Sequence, residues 1–274
     1  GTPSLFPPEA IARILDAASA RLRFAPNAEI TLETNPGTAE HGHFDGYRKA
    51  GVNRLSFGIQ SFNDQALAKL GRIHDSAQAE GAVKLAQDAG FDNINLDLMY
   101  ALPGQDLAAA EYDLQRAFAL DPAHISHYQL TLEPNTIFFA KPPKGIPDED
   151  AAWDIQEHCQ AMLAEAGFAQ YEVSAYARPG RQCAHNLNYW RFGDYLGIGA
   201  GAHGKVTLGA GQHVLRRWKH KHPQTFMDTA GTPASIGGDD LIDASRLPFE
   251  YMLNLLRLHE GFAERDFSSR TGLD

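Results

Sequence analysis

The sequence runs to 274 residues with a formal net charge of -10, and 43% of it is hydrophobic. That length suffices for a large buried core. The acidic balance excludes a general nucleic-acid or anionic-membrane surface, while leaving room for a local basic pocket. No apolar run approaches the roughly 18 residues of a membrane span, and no signal peptide is visible. The two cysteines, Cys159 and Cys183, exclude a disulfide scaffold and an all-cysteine zinc or iron-sulfur site built from this chain alone. A reducing compartment, the cytoplasm, is the default.

Taken in order, Pro7, Pro8 and Glu9 open a helix reaching about Leu22. EITLE (29–33) is the first complete strand, ending at Glu33 beside an Asn-Pro-Gly turn, with Thr38 as the N-cap of a helix to Ala50. NRLSFGIQ (53–60) is the next strand and ends in Gln60. Asn63 caps a short helix, Arg72 and His74 follow in a loop, and Ser76 caps a helix whose apolar face includes Val83, Leu85 and Ala86. The stretch 92–105, DNINLDLMYALPGQ, reads as a buried strand interrupted by a carboxylate at Asp97, then a Pro-Gly turn and a helix from about Asp106. Two readings of Asp97 stand open, a pocket-closing group and an ordinary hydrogen-bonded core carboxylate. Tyr112, Leu114, Ala117, Phe118 and Leu120 mark the buried side of that helix.

HISHYQLTL (124–132) is a further strand, and a Pro- and Lys-rich loop leads to acidic residues 148–150 at a helix N-terminus. Ile155, Cys159, Met162, Leu163 and Ala166 form its apolar stripe, which makes Cys159 a core thiol. YEVSAYA (171–177) closes the series as one strand. The spacing is that of parallel βα units. Polar residues at strand ends, Glu33, Gln60, Asp97 and Gln129, point to one ligand-lined mouth on a barrel or partial barrel.

After Pro179 the texture changes to CAHNLNYWRFGDYLGIGAGAHG (183–204), neither a P-loop nor a dinucleotide fingerprint. Its aromatics could hold a planar ring and His185 could ligate iron, or the same residues could close a domain junction. VLRRWKHKH (214–222) reads as a solvated strand or loop. Residues 229–240 read as a polar connection, and Phe249, Met252, Leu253 and Leu256 have helical spacing. The domain division expected is 1–228, a barrel with a glycine- and aromatic-rich extension, and 229–274, a linker with the start of a smaller helical domain.

GTPSLF, TLETNPGT, RLSFGIQSF, GRIH, NINLDLMYALPGQ, HYQLTLEPNT and HNLNYWRFGDYLGIGAGAHG together resemble the radical S-adenosylmethionine (SAM) family of oxygen-independent coproporphyrinogen III oxidases and, more closely, its heme-chaperone branch, the HemW type. The resemblance covers essentially the whole chain. It implies an α/β fold, a partial (β/α)6 radical-SAM barrel lacking its N-terminal cluster-binding part and followed by a smaller, mainly helical domain. It implies S-adenosylmethionine contacts at Gly1, Thr2, Glu33, Gln60, Arg72, Asp97, Tyr128 and Thr131. Acidic groups there would meet the ammonium or ribose hydroxyls, and the Arg would meet the carboxylate.

In the family a CxxxCxxC loop carrying the [4Fe-4S] cluster precedes a GGGTP motif, whose end Gly1 and Thr2 resemble. That loop is absent from this sequence, which reads as truncated at its N-terminus and, from its polar ending, at its C-terminus. The expectation is that the parent protein holds the cluster and that this piece is inactive in radical chemistry. HNLNYW implies heme handling in the chaperone branch, with His185 as iron ligand and Tyr189 and Trp190 beside it. The implied function is heme binding and delivery to acceptor hemoproteins, respiratory ones among them. The alternative is radical decarboxylation of coproporphyrinogen propionates. Whether the chain forms a homo-oligomer stays open.

Overall fold

A computed structural model describes residues 2–37, 43–209 and 213–273. Gly1 and Thr38, both singled out above, lie outside the described residues. The chain separates into two compact units, Gly1–Gln182 and Cys183–Asp274. The sequence reading had drawn its boundary at 228/229.

In the first unit, α1 (Pro8–Ser19) starts on its proline, whose absent N–H costs a helix nothing at that position. There follow β1 (Thr31–Thr34), α2 (Phe44–Ala50), β2 (Arg54–Gln60), α3 (Asp64–Lys69), α4 (Ser76–Asp88), β3 (Ile94–Tyr100), α5 (Leu107–Ala119) and β4 (His124–Gln129). Asn63 caps α3 by accepting from the Gln65 and Ala66 N–H groups. Asp75, not Ser76, caps α4, because Asp75 and Gln78 complete a reciprocal capping box. The loop after β4 holds the short α6 (Ile137–Ala140), and Asp148 caps α7 (Glu149–Glu165).

β1 to β4 are parallel neighbours in that order. The stretch 171–177 is not one strand. It belongs to a hairpin, β5 (Ala169–Glu172) and β6 (Ala175–Ala177), with β6 antiparallel to β4. The turn sits at Val173 and Ser174, where the Glu172 carboxylate accepts from the Ser174 N–H and hydroxyl and reverses the chain. The sheet order is therefore β1-β2-β3-β4-β6-β5, a mixed sheet and not a uniform βα series.

One sheet face packs on α4, α5 and α7 through Leu96, Leu98, Tyr100, Val83, Leu114, Ile155 and Leu163, all buried. Each such aliphatic side chain contributes roughly 1.5–3 kcal/mol on burial. Cys159 belongs to this core, and burial pushes its thiol up to about 12. Leu85 and Tyr112, expected inside, are exposed, whereas Asp113 is buried on α5. No helix among the described residues is long and apolar enough to cross a membrane.

The second unit comprises α8 (Ala184–Trp190), β7 (His203–Leu208), β8 (His213–Lys219), α9 (Pro223–Thr229), β9 (Ile236–Ile242), α10 (Leu247–Leu255) and α11 (Glu264–Thr271). β7, β8 and β9 form an antiparallel three-stranded sheet. Residues 236–240 of the expected 229–240 linker are therefore part of a strand, admitted because Gly238 leaves room for the Trp218 ring opposite. The second unit is thus a small sheet with a helical C-terminal part.

Its core is Phe192, Val214, Ile242, Leu247, Tyr251 and Leu255. Of the four residues expected as the stripe of α10, Met252 packs against this core and the others do not. Phe249, Leu253 and Leu256 are exposed, and Leu247, Tyr251 and Leu255, spaced by four, face inward.

Candidate functional site

In the parallel part of the first sheet, register sets side chains in rows. Glu33 aligns with Ser56, Ser56 with Asn95, and Asn95 with His124. Residues aligned in a parallel ladder share a face, so this polar row lies on the face opposite Leu96 and Leu98. Asp97 and Ser126 form the next row, towards the C-terminal ends. Asp97 thus obeys the alternation of its strand, with Asn95 and Met99 on its side. It sits mid-strand, not at a strand end.

These groups form one hydrogen-bond network. Asn95 Nδ2 donates to Asp97 Oδ1 at 2.8 Å and to Ser56 Oγ at 3.0 Å. Asn95 Oδ1 accepts from Ser126 Oγ at 3.1 Å and lies 2.6 Å from His124 Nδ1. A carboxamide oxygen only accepts, so the Nδ1 proton of His124 is on that nitrogen. The other nitrogen, Nε2, is 2.8 Å from the Tyr171 hydroxyl. Burial pushes the Asp97 carboxyl above its usual range, opposed by bonds from Asn95, Ser126 and Ser56 and by the Arg54 charge.

At the strand ends, Gln60 has φ 74°, an uncommon conformation for a side chain with Cβ, after a register shift in β2. Its Oε1 accepts from the Tyr128 hydroxyl at 2.7 Å. A Cβ at Gly58 would lie 3.2 Å from both Gln60 Nε2 and Asn35 Oδ1, and Asn35 Nδ2 donates to Thr2 Oγ1 at 2.7 Å. Thr2, Gln60 and Tyr128 are thereby drawn to one end of the sheet. Burial raises the Tyr128 phenol to about 12, with the Asp97 charge adding to it and Arg72 opposing.

Arg72 lies on the exposed loop after α3, and Glu33 is exposed on β1. Thr131 falls beyond the end of β4, exposed, with its hydroxyl on Glu133 at 2.9 Å; the strand is shorter than expected and does not carry it. Gln129 is on the opposite face from Tyr128.

Sequence reasoning missed Ser56, Asn95, His124 and Ser126. Their signal was present as polar residues at every second position, Asn95 and Asp97 in one strand, His124 and Ser126 in the next. It also missed Asp113, whose carboxylate accepts from Ser61 Oγ at 2.8 Å, the Phe62 N–H at 2.6 Å and Gln105 Nε2 at 3.3 Å. Asp113 ties the loops that follow β2 and β3, the strands carrying Gln60 and Asp97.

In the second unit, α8 is seven residues long and begins at Cys183, whose sulfur is 3.2 Å from His185 Nδ1. His185 and Tyr189, four apart, share a helix face with their rings edge-on at 6.1 Å. Tyr189 meets Tyr195 edge-on at 4.7 Å, and the Arg257 guanidinium lies 4.3 Å over Trp190. Tyr189, Trp190 and Tyr195 line a cavity of about 370 Å³ together with Lys205 and Arg216. His185 is joined to it through Tyr189. An imidazole beside edge-on aromatics and cations suits a flat, anionic, metal-bearing ligand.

Residues 1–117 match the Radical SAM superfamily. The chain is 51% identical over 273 residues to "Heme chaperone HemW" of Escherichia coli strain K12, covering 100% of this chain and 71% of that protein. It is 50% identical over 278 residues to the protein of the same description from Haemophilus influenzae, covering 100% and 70%. Among solved structures, coproporphyrinogen III oxidase (HemN) from Escherichia coli, described as a radical SAM enzyme, superimposes with a TM-score of 0.81 at 22% identity. That match covers 100% of this chain and 65% of the oxidase, and shows a shared fold.

Proposed function

Since the chain belongs to the HemW family within the radical SAM superfamily, we propose that it takes part in heme handling, binding heme in its second unit and passing it to acceptor hemoproteins. The observation that carries this is the short helix α8. It sets His185 and Tyr189 on one face and leads Trp190 into the aromatic, cationic cavity. His185 would ligate the iron, and Tyr189 and Trp190 would flank the ring.

S-adenosylmethionine would lie against the polar face of the first sheet. The residues fit that ligand. Asp97, raised by burial, would be drawn back to its charged form by an ammonium group, and Gln60 and Tyr128 offer oriented amide and hydroxyl groups at the strand ends. Glu33 and Arg72 would complete the charges, with Thr2 beside Asn35.

The residues of this chain do not fit a [4Fe-4S] cluster. Such clusters are held by several thiolates, and of the two cysteines here one, Cys159, is walled into the core as a thiol.

An anaerobic heme titration of the protein and of His185→Ala tests the reading. Saturable, near-stoichiometric binding that weakens in the variant supports it. Unchanged binding in the variant removes His185 as ligand, and no binding by wild type favours coproporphyrinogen turnover instead.

A further inference from the structure

In the second sheet, Lys205 of β7 and Arg216 of β8 are direct cross-strand partners. Like charges placed opposite one another in an antiparallel pair repel, and ordinary sheets avoid the arrangement. The cost is sharpened here because Lys205 is only 3% exposed. Burial pulls its ammonium down to about 8. Asp194 opposes that, while Arg270 and Arg216 add to it.

Lys205 is held in place, with its Nζ donating to Phe192 O at 2.8 Å and lying 3.7 Å over the Phe192 ring. Arg216 is half-buried and pairs with Glu250 at 2.7 Å. Arg216 also stands opposite Asp240 on β9, and its guanidinium, with five N–H donors, has capacity beyond the Glu250 contact. Both cations line the cavity of about 370 Å³ whose other walls include Tyr189, Trp190 and Tyr195. Each cation keeps a carboxylate neighbour, Asp194 for Lys205 and Glu250 for Arg216, and both face the aromatic-lined cavity.

We infer that the Lys205–Arg216 pair is a carboxylate subsite, which receives the acidic side chain of a flat aromatic ligand lying on Tyr189 and Trp190. This rests on the heme reading above and specifies it. The acid edge of the porphyrin enters the cavity, and Arg216 supplies the charge-assisted hydrogen bonds. Glu250 and Asp194 hold the two cations when no ligand is bound.

The test compares binding of iron protoporphyrin IX with that of its diamide, in which both propionates are capped, by titration of wild type, Arg216→Met and Arg216→Lys. Wild type is expected to prefer the free acid by about tenfold or more. Arg216→Met should lose most of the preference, with Lys205 alone keeping the remainder, and Arg216→Lys should keep a larger part of it. Arg216 is partly exposed, so these variants should fold, which circular dichroism checks. Equal binding of acid and diamide by wild type, or full preference in Arg216→Met, overturns the subsite while leaving heme binding intact. Failure of wild type to bind either ligand overturns the heme reading, and the subsite with it.

Discussion

The Tyr128 hydroxyl donates to Gln60 Oε1 at 2.7 Å, tying β4 to β2 across the intervening β3. Tyr128→Phe keeps the ring and deletes this bond, with an expected loss of about 1 kcal/mol in denaturant unfolding. It should also weaken S-adenosylmethionine several-fold, because Gln60 then loses the restraint on its amide. An unchanged affinity by calorimetry would detach this pair from the ligand.

Asn95 satisfies four partners at once, Ser56, Asp97, His124 and Ser126. Asn95→Leu leaves several buried polar groups unpaired and should cost about 3 kcal/mol or more, well beyond a single hydrogen bond. A loss below about 1 kcal/mol would show that the network is not cooperative.

Asp113 is buried, and its carboxyl is pushed up to about 6 by that burial, against bonds from Phe62, Ser61 and Gln105. The folded state therefore holds its proton more tightly than the unfolded chain. The contribution to stability falls as pH rises from about 4 to 6, by up to about 3 kcal/mol. Asp113→Asn should remove this slope, as read from unfolding curves across that range.

His127 behaves oppositely. Burial pulls its imidazole down to about 4, and its ring lies 4.8 Å from Tyr100. Its neutral form belongs to the fold, so stability is lost as pH falls from about 6.5 to 4, by roughly 3 kcal/mol. In wild type the two slopes offset one another where they overlap. His127→Phe should expose the Asp113 slope, and Asp113→Asn should steepen acid unfolding. Parallel pH profiles in all three proteins would refute both assignments.

Gly238 faces Trp218 across β8 and β9, and a Cβ there would meet the indole 2.2 Å from its Cζ2. Gly238→Ala must displace either the ring, which stacks on His203 at 6.0 Å, or the strand. The expected cost is about 2 kcal/mol, with altered Trp fluorescence. A neutral effect on both would mean that β9 is not seated as described.

The four parallel strands, most helices of the first unit, the Asn63 cap and the helix starts near Asp106 and Asp148 were legible because local pattern determines them. The Val173–Ser174 reversal was not, since VSA carries neither Gly nor Pro and the Glu172 side chain makes the turn. Helix faces were misread where a polar residue is the buried one. Asp113 and Glu250 face inward on α5 and α10, while Tyr112 and Phe249 beside them face out. The residues that the motifs suggested for the site divide likewise. Asp97 and Tyr128 share one sheet face and Gln60 is bonded to Tyr128, but the polar row that supports Asp97 answers to strand register, which a single sequence does not display.

The bonds from the hairpin to the sheet interior share one sense. With a neutral imidazole, Tyr171 gives a proton to His124, His124 gives one to Asn95, and Asn95 gives one to Asp97. Dipoles lined up in this way polarise one another, so charge arriving at Asp97 is felt at the far end. Tyr171 is therefore placed to report on Asp97. Its phenol absorbance or ring shifts should register occupancy at Asp97 without any label attached to the ligand.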